Sequence, residues 1–234
     1  MAVIDELAPR LDQVRERIAR AAEHADRRAD DVRLMAVTKT HPVQTVAAAV
    51  ELGLTNLGEN RVQELQVKAA ALSAPEISWS LIGHLQTNKA KRALEFADEF
   101  QALDSLRLAE VLNKHCAALD RDLPVLIEVN TSGEVTKSGL SPAEVPEFAN
   151  SLAEYSRLRP MGLMTVAAPG GGAAAEACFA QLAELRAQLR SQAVLGADWP
   201  ELSMGMSGDF ELAIKHGSTC VRLGTALFGR RDYR

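Results

Sequence analysis

The sequence predicts an α/β fold, a single (β/α)8 TIM-type barrel with an extra N-terminal helix, filling residues 1–234 as one domain. Three observations predict it. About eight short apolar runs alternate strictly with helical stretches, which leaves a closed barrel or an open doubly wound sheet, and the count of eight favours the barrel. A chain of 234 residues falls within the size of one such barrel. An open sheet binding a dinucleotide would carry GxGxxG after its first strand, where only glycine lets a pyrophosphate approach the backbone, and no glycine follows Val37.

The elements follow in order. Ile4, Leu7, Leu11, Val14 and Ile18 recur every three or four residues with charged residues between them, the stripe of an amphipathic helix. Residues 33–37 form a short apolar strand, ended by Thr38-Lys39-Thr40-His41-Pro42, where proline disfavours continuation. Further strands are expected near 56–57, 78–82, 100–103, 125–129, 158–164, 202–204 and 220–223. Helices fill the intervals, with Leu108, Val111, Leu112 and Leu119 on one stripe and Phe179, Leu182, Leu185 and Leu189 on another. The glycine- and alanine-rich run 167–175, which includes Pro169, reads as a flexible rim loop after the sixth strand.

Composition excludes several classes. Hydrophobic residues at 47% and charged residues at 24% match a folded globular chain and not a disordered one. A net charge of −5 supplies no basic surface for nucleic acid. No apolar run reaches the length of a membrane span, and Asp5 and Glu6 stand where a signal peptide would be basic then apolar, so a cytoplasmic protein is expected. Cys116, Cys178 and Cys220 are isolated, and His41, His84, His115 and His216 lack metal-ligand spacing, so neither a disulfide nor a metal site is expected.

In a barrel the loops at the C-terminal strand ends build the site, and phosphate commonly sits after strands seven and eight. Here those loops are Met204-Gly205-Met206-Ser207-Gly208-Asp209 and Arg222-Leu223-Gly224-Thr225, each leading into a short helix or turn. Both can aim backbone N–H groups at an anion, glycines permit close approach, and the Ser207 and Thr225 hydroxyls can donate to phosphate or cap the following helices. Of the seven lysines only Lys39 directly follows a strand; Lys68, Lys89, Lys91, Lys114 and Lys215 fall on predicted helices and Lys137 in a loop. Strand one borders strand eight when a barrel closes, so Lys39 is the Schiff-base candidate, the other reading being a surface lysine at a strand end. Arg222, two residues before Gly224, either reaches the ring of a ligand whose phosphate sits there or pairs with a carboxylate inside the barrel. Facing a pyridine nitrogen, it would keep that nitrogen unprotonated. Asn60 either lines the pocket or belongs, with Glu59 to Glu64, to the start of a helix.

Ala36-Val-Thr-Lys-Thr-His-Pro42, Gly58-Glu-Asn-Arg-Val-Gln-Glu64, Ile82-Gly-His-Leu-Gln-Thr-Asn-Lys89, Lys137-Ser-Gly139, Leu202-Ser-Met-Gly-Met-Ser207, Gly217-Ser-Thr219, Val221-Arg-Leu-Gly-Thr225 and Phe228-Gly229 stand in that order. Together, between Ala36 and Tyr233, they resemble the pyridoxal phosphate homeostasis proteins, the YggS-like family. The resemblance implies a barrel like the N-terminal domain of alanine racemase and pyridoxal 5'-phosphate (PLP) on Lys39. It also implies phosphate contacts at Ser207, Gly224 and Thr225 and ring-nitrogen contact at Arg222. Asn60 and Met206 complete the set of expected cofactor contacts. Ser80 departs from the histidine that many members carry after the tryptophan.

A racemase needs a base on each face of the bound cofactor, and similar barrel racemases draw the second from a C-terminal β-domain and a dimer partner. Arg234 follows the last barrel segment closely, so that domain is expected to be absent. The expected role is therefore a non-catalytic, monomeric PLP carrier that stores, buffers or delivers the cofactor, with apo PLP-dependent enzymes as acceptors. Two alternatives are a PLP-dependent racemase using His84, Tyr155 or Lys137 as second base, and a class I aldolase-like Schiff-base barrel. Lys137 is also a candidate for a second aldehyde site.

Overall fold

Apolar strands covered by amphipathic helices bury one face against the helix layer and must fill the other face from within. The computed structural model, which describes residues 3–229 except 73 and 169, shows that solution. Pro169, Tyr233 and Arg234 lie outside the described residues. Eight parallel strands close in sequence order, β1 (Arg33–Val37), β2 (Asn56–Glu59), β3 (Ser78–Leu81), β4 (Glu99–Leu103), β5 (Leu123–Glu128), β6 (Leu158–Met164), β7 (Glu201–Ser203) and β8 (Cys220–Leu223). Closure pairs Arg33 with Cys220 and Ala36 with Leu223.

Around them stand α1 (Val3–Glu23), α2 (Val43–Glu51), α3 (Val62–Ala71), α4 (Ala90–Leu94), α5 (Leu106–Ala118), α6 (Val145–Ser151), α7 (Gly172–Ser191), α8 (Phe210–Lys215) and α9 (Thr225–Phe228). The predicted stripe of α1 is buried at Leu7, Leu11, Val14 and Ile18, and the helix packs on α2, α8 and α9. The α7 stripe of Phe179, Leu182, Leu185 and Leu189 is buried as expected. On α5, however, Leu119 lies beyond the last helical turn and is 49% exposed, leaving buried Leu108 and Leu112, with Val111 partly buried, to carry the contact. The rim loop is shorter than predicted: Gly170 and Gly171 take positive φ, but helix begins at Gly172, because the alanines that follow are strong helix formers. Among the described residues no helix is long and apolar enough to cross a membrane.

The barrel interior is filled with polar groups at its N-terminal end. Arg33 forks onto the Glu99 carboxylate (3.2 and 3.0 Å) and also reaches Glu201 (2.7 Å), while the Ser80 hydroxyl donates to Glu99 (2.6 Å). From Glu99 a chain of hydrogen bonds climbs the barrel: the Gln101 amide donates to Glu99 (2.9 Å), Ser203 Oγ donates to the Gln101 carbonyl (2.7 Å), and Arg222 donates to Ser203 Oγ (2.7 Å). The side chains on this path alternate along β4 and β8, the period-two rule for residues that share a face.

Candidate functional site

The C-terminal ends of β1, β2, β7 and β8 bring the predicted residues to one side of the barrel mouth. Val37 pairs with Gly58, so Lys39 and Asn60 each stand two residues beyond that register, in the inward phase of their strands. Both are half-buried. A Cβ on Gly224 would meet the Val37 carbonyl at 3.3 Å, which sets the end of β1 directly against the β8 loop. His41 packs its ring on Phe228 of α9, centroids 4.7 Å apart, a second tie between the Lys39 loop and the helix that begins at Thr225. The sequence places His41 in the loop after β1 and in the family-like segment but gives no signal for its contact with Phe228.

The two phosphate-type loops are hydrogen-bonded to each other: Ser207 Oγ accepts from the Ala226 amide at 3.0 Å. Gly205 is required where it stands, at φ +96°, since a Cβ would meet the Ala213 Cβ at 2.6 Å and the Phe210 Cα at 2.9 Å. Gly224 has negative φ, so its value lies in the close approach to β1 and not in a left-handed turn. A Cβ on Gly208 would meet nothing within 4 Å, so this loop leaves open space beside the helix start. Of the amides that open α8 and α9, Phe210 donates to the Met206 carbonyl (3.0 Å), Ala226 to Ser207 Oγ (3.0 Å), and Leu227 and Phe228 to the Gly224 carbonyl (3.0 and 2.9 Å), so donors for an anion come from the loops just before them. Met206 sits at the same loop with 39% exposure, but its amide already donates to Asp209 Oδ1 at 2.6 Å, so its place in the predicted set rests on the side chain.

Arg222 is 5% exposed, and its guanidinium donates to Ser203 Oγ (2.7 Å) and to the Thr165 carbonyl (2.7 Å). Among the described residues no carboxylate reaches ion-pair distance of it, so the pairing that the sequence left open is not the one formed. Burial pulls its pKa down, opposed by the charges of Cys220, Glu128 and Asp209. Glu128, at the end of β5, has one buried oxygen without a protein partner. Burial first, then the Asp104 carboxylate, push its pKa up to about 7, opposed by Arg222.

Of the other predicted groups, Tyr155 lies apart, whereas His84 and Lys137 stand at the edge of this cluster. Tyr155 precedes β6 and lies at the opposite, N-terminal end of the barrel, away from the mouth. Lys137 donates to the Ala167 carbonyl (3.1 Å) and pairs with Glu134 (2.8 Å). His84 is exposed at the rim, 3.8 Å from Asp104. Asn60 and His84 border a cleft of about 500 Å³ between the β2 and β3 loops, and Lys137, Met206 and Gly208 border another of about 500 Å³. A further cleft, about 710 Å³, lies outside the mouth between α1 and α8.

The loop that carries Lys39 is held by residues the sequence did not single out. Glu59 is not at a helix start; it is the last residue of β2, 0% exposed, and meets Lys68 of α3 at 2.5 Å. Such a pair is hard to read from sequence, since it joins a strand to the helix after it across nine positions. The inward polar chain left a clearer mark: Gln101, Ser203 and Arg222 interrupt strands expected to be apolar, and Glu99 stands just before one of them.

The residues present fit a small ligand that carries both phosphate and an aldehyde. Hydroxyls, loop amides and open space at Gly208 suit the anion, and a primary amine stands two residues beyond the strand that closes against the Gly224 loop. Comparison with known proteins agrees. Residues 10–232 match the family described as "Alanine racemase, N-terminal domain". The chain is 41% identical to the pyridoxal phosphate homeostasis protein of Pseudomonas aeruginosa, covering 97% of this chain and 96% of that one. It is 40% identical to the protein of that name from Escherichia coli strain K12, with 98% and 99% covered. The solved structure of PipY from Synechococcus elongatus, with PLP bound, superposes with a TM-score of 0.79 at 37% identity, over 91% of this chain and 100% of that one.

Proposed function

The chain belongs to the alanine racemase N-terminal domain family, and from that membership and the geometry of the mouth we propose that it is a non-catalytic PLP-binding protein that stores, buffers or delivers the cofactor. The observation that carries the reading is the juxtaposition of the Lys39 loop with the two anion-type loops, through Gly224 against Val37 and His41 on Phe228. When bound, the cofactor supplies an aldehyde to which a primary amine adds with loss of water.

In this reading Lys39 supplies that amine. Ser207, Thr225 and the backbone amides of the loops at Gly208 and Gly224 hold the phosphate, Gly224 keeps their approach open, and Asn60 and Met206 border the pocket. Arg222 faces the ring nitrogen. A guanidinium has donors only, so it leaves that nitrogen unprotonated and weakens the ring as an electron sink. That favours holding the cofactor over reacting it, as do the relatives named as homeostasis proteins. We further read residues 1–234 as one domain, monomeric and cytoplasmic, delivering to apo PLP-dependent enzymes. Closure of the sheet supports the monomer, since it leaves no strand edge to pair with another copy.

Protein incubated with PLP and desalted should keep a long-wavelength absorption band that Lys39→Ala abolishes. A band unchanged in that variant rejects the assignment of Lys39. The loaded protein should restore activity to an apo-enzyme acceptor while exchanging no Cα hydrogen of free amino acids for deuterium, and rapid exchange would mark an enzyme instead.

A further inference from the structure

We propose that the buried Glu59–Lys68 ion pair, extended by Glu64, is a positioning device that holds the Lys39 loop from behind; this rests on the reading of Lys39 as the amine that binds PLP. Gly58 faces the barrel interior, where a Cβ would meet Met35 Sδ at 2.8 Å, so its neighbour Glu59 faces the helix layer. There Lys68 approaches from α3, 4% exposed. Its ammonium donates to Glu59 Oε1 (2.5 Å), to the Thr38 carbonyl (2.7 Å) and to Glu64 Oε2 (3.4 Å), which uses all three of its donors.

The carboxylates complete the grip. Thr38 Oγ1 donates to the same Glu59 oxygen at 2.5 Å, and the Thr40 amide donates to Glu64 Oε2 at 2.5 Å. Both residues that flank Lys39 are therefore tied to one ion cluster. Thr40 is held at φ +68°, a conformation that β-branched residues rarely take and that persists only where the surroundings impose it. Among the described residues, the hydrogen bonds that leave the cluster end on Thr38 and Thr40, on either side of Lys39.

A buried ion pair is a poor means of stabilising a fold, since removing two charges from water offsets most of their attraction, and an apolar pair of similar volume does as well or better. That distinguishes positioning from stability. Lys68→Met alone strands a buried carboxylate and should destabilise the fold. The double variant Glu59→Leu with Lys68→Met removes both charges and should regain the wild-type melting temperature, yet it leaves Thr38 unheld and deprives Glu64, which holds the Thr40 amide, of its cation.

The test is a PLP titration followed by absorption, with a second readout on the unloaded protein. That readout is the pH profile of Lys39 modification by an amine-selective reagent, read by peptide mass spectrometry. The double variant should melt like wild type, bind PLP on the order of tenfold more weakly, and show a displaced Lys39 pH profile. Lys68→Arg, which keeps the charge and donors, should recover most of the affinity. A well-folded double variant with wild-type affinity and profile overturns the proposal. If the double variant does not fold, Glu64→Ala decides, because that side chain is half-buried and its loss frees the Thr40 amide: weaker binding supports the proposal and unchanged binding overturns it. Failure of wild-type protein to bind PLP through Lys39 would instead overturn the functional reading.

Discussion

Arg222 is a full charge kept inside the barrel by neutral oxygens, so each acceptor matters more than its single hydrogen bond suggests. Ser203→Ala removes the acceptor of one guanidinium nitrogen at 2.7 Å and leaves a buried charged donor unsatisfied, which costs about 1–3 kcal/mol. Urea denaturation should show that loss, together with weaker PLP binding as the guanidinium drifts; wild-type values for both would detach Ser203 from the site. Glu128 gives a pH signature. Its folded pKa of about 7 lies above the ordinary value of 4.5, so the stability it contributes is present below 4.5 and is lost as pH rises through about 7. Glu128→Gln should therefore gain on wild type as pH goes from 5 to 8, by at most on the order of 3 kcal/mol, and a pH-independent difference in melting would refute it. At this scale the sequence was legible where one residue type is demanded: Gly205 by its positive φ, and Lys39 as the lysine that directly follows a strand. Glu59 and Lys68 were not legible, because their partnership depends on which way β2 faces.

α1 does more than cover the barrel. It packs on α8 and α9, whose first turns carry the Ser207 and Thr225 loops, and Arg17 ties it there through Glu211 (2.7 Å) and the face of Phe210 (4.5 Å to the ring centre). Leu11, 2% exposed, lies on the buried stripe of α1. Leu11→Ala should cost about 2–5 kcal/mol by leaving a cavity, and it should loosen PLP by letting both short helices shift. A stability loss with unchanged affinity would confine α1 to covering the core. The existence and order of the elements were readable, because 3.6 and 2.0 periodicities mark which face is buried. Their limits were less so: β2 runs to Glu59 although Gly58 and Glu59 carry no strand signal, since pairing to β1 and β3 and burial decide it.

For the molecule as a whole, closure of the barrel creates the site. The pairing of β1 with β8 joins residues almost two hundred positions apart and sets the Lys39 loop beside Gly224. Only the count of eight strands hinted at that contact in the sequence, and although polar residues within apolar strands mark the chain from Arg33 to Arg222, its connections depend on which faces point inward. The most direct test is to load the protein with PLP, reduce it with borohydride and locate the modified peptide by mass spectrometry. An adduct confined to the peptide containing Lys39, lost when inorganic phosphate competes for the Ser207 and Thr225 loops, is the predicted result. An adduct on Lys137 or Lys68, or none at all, would contradict it.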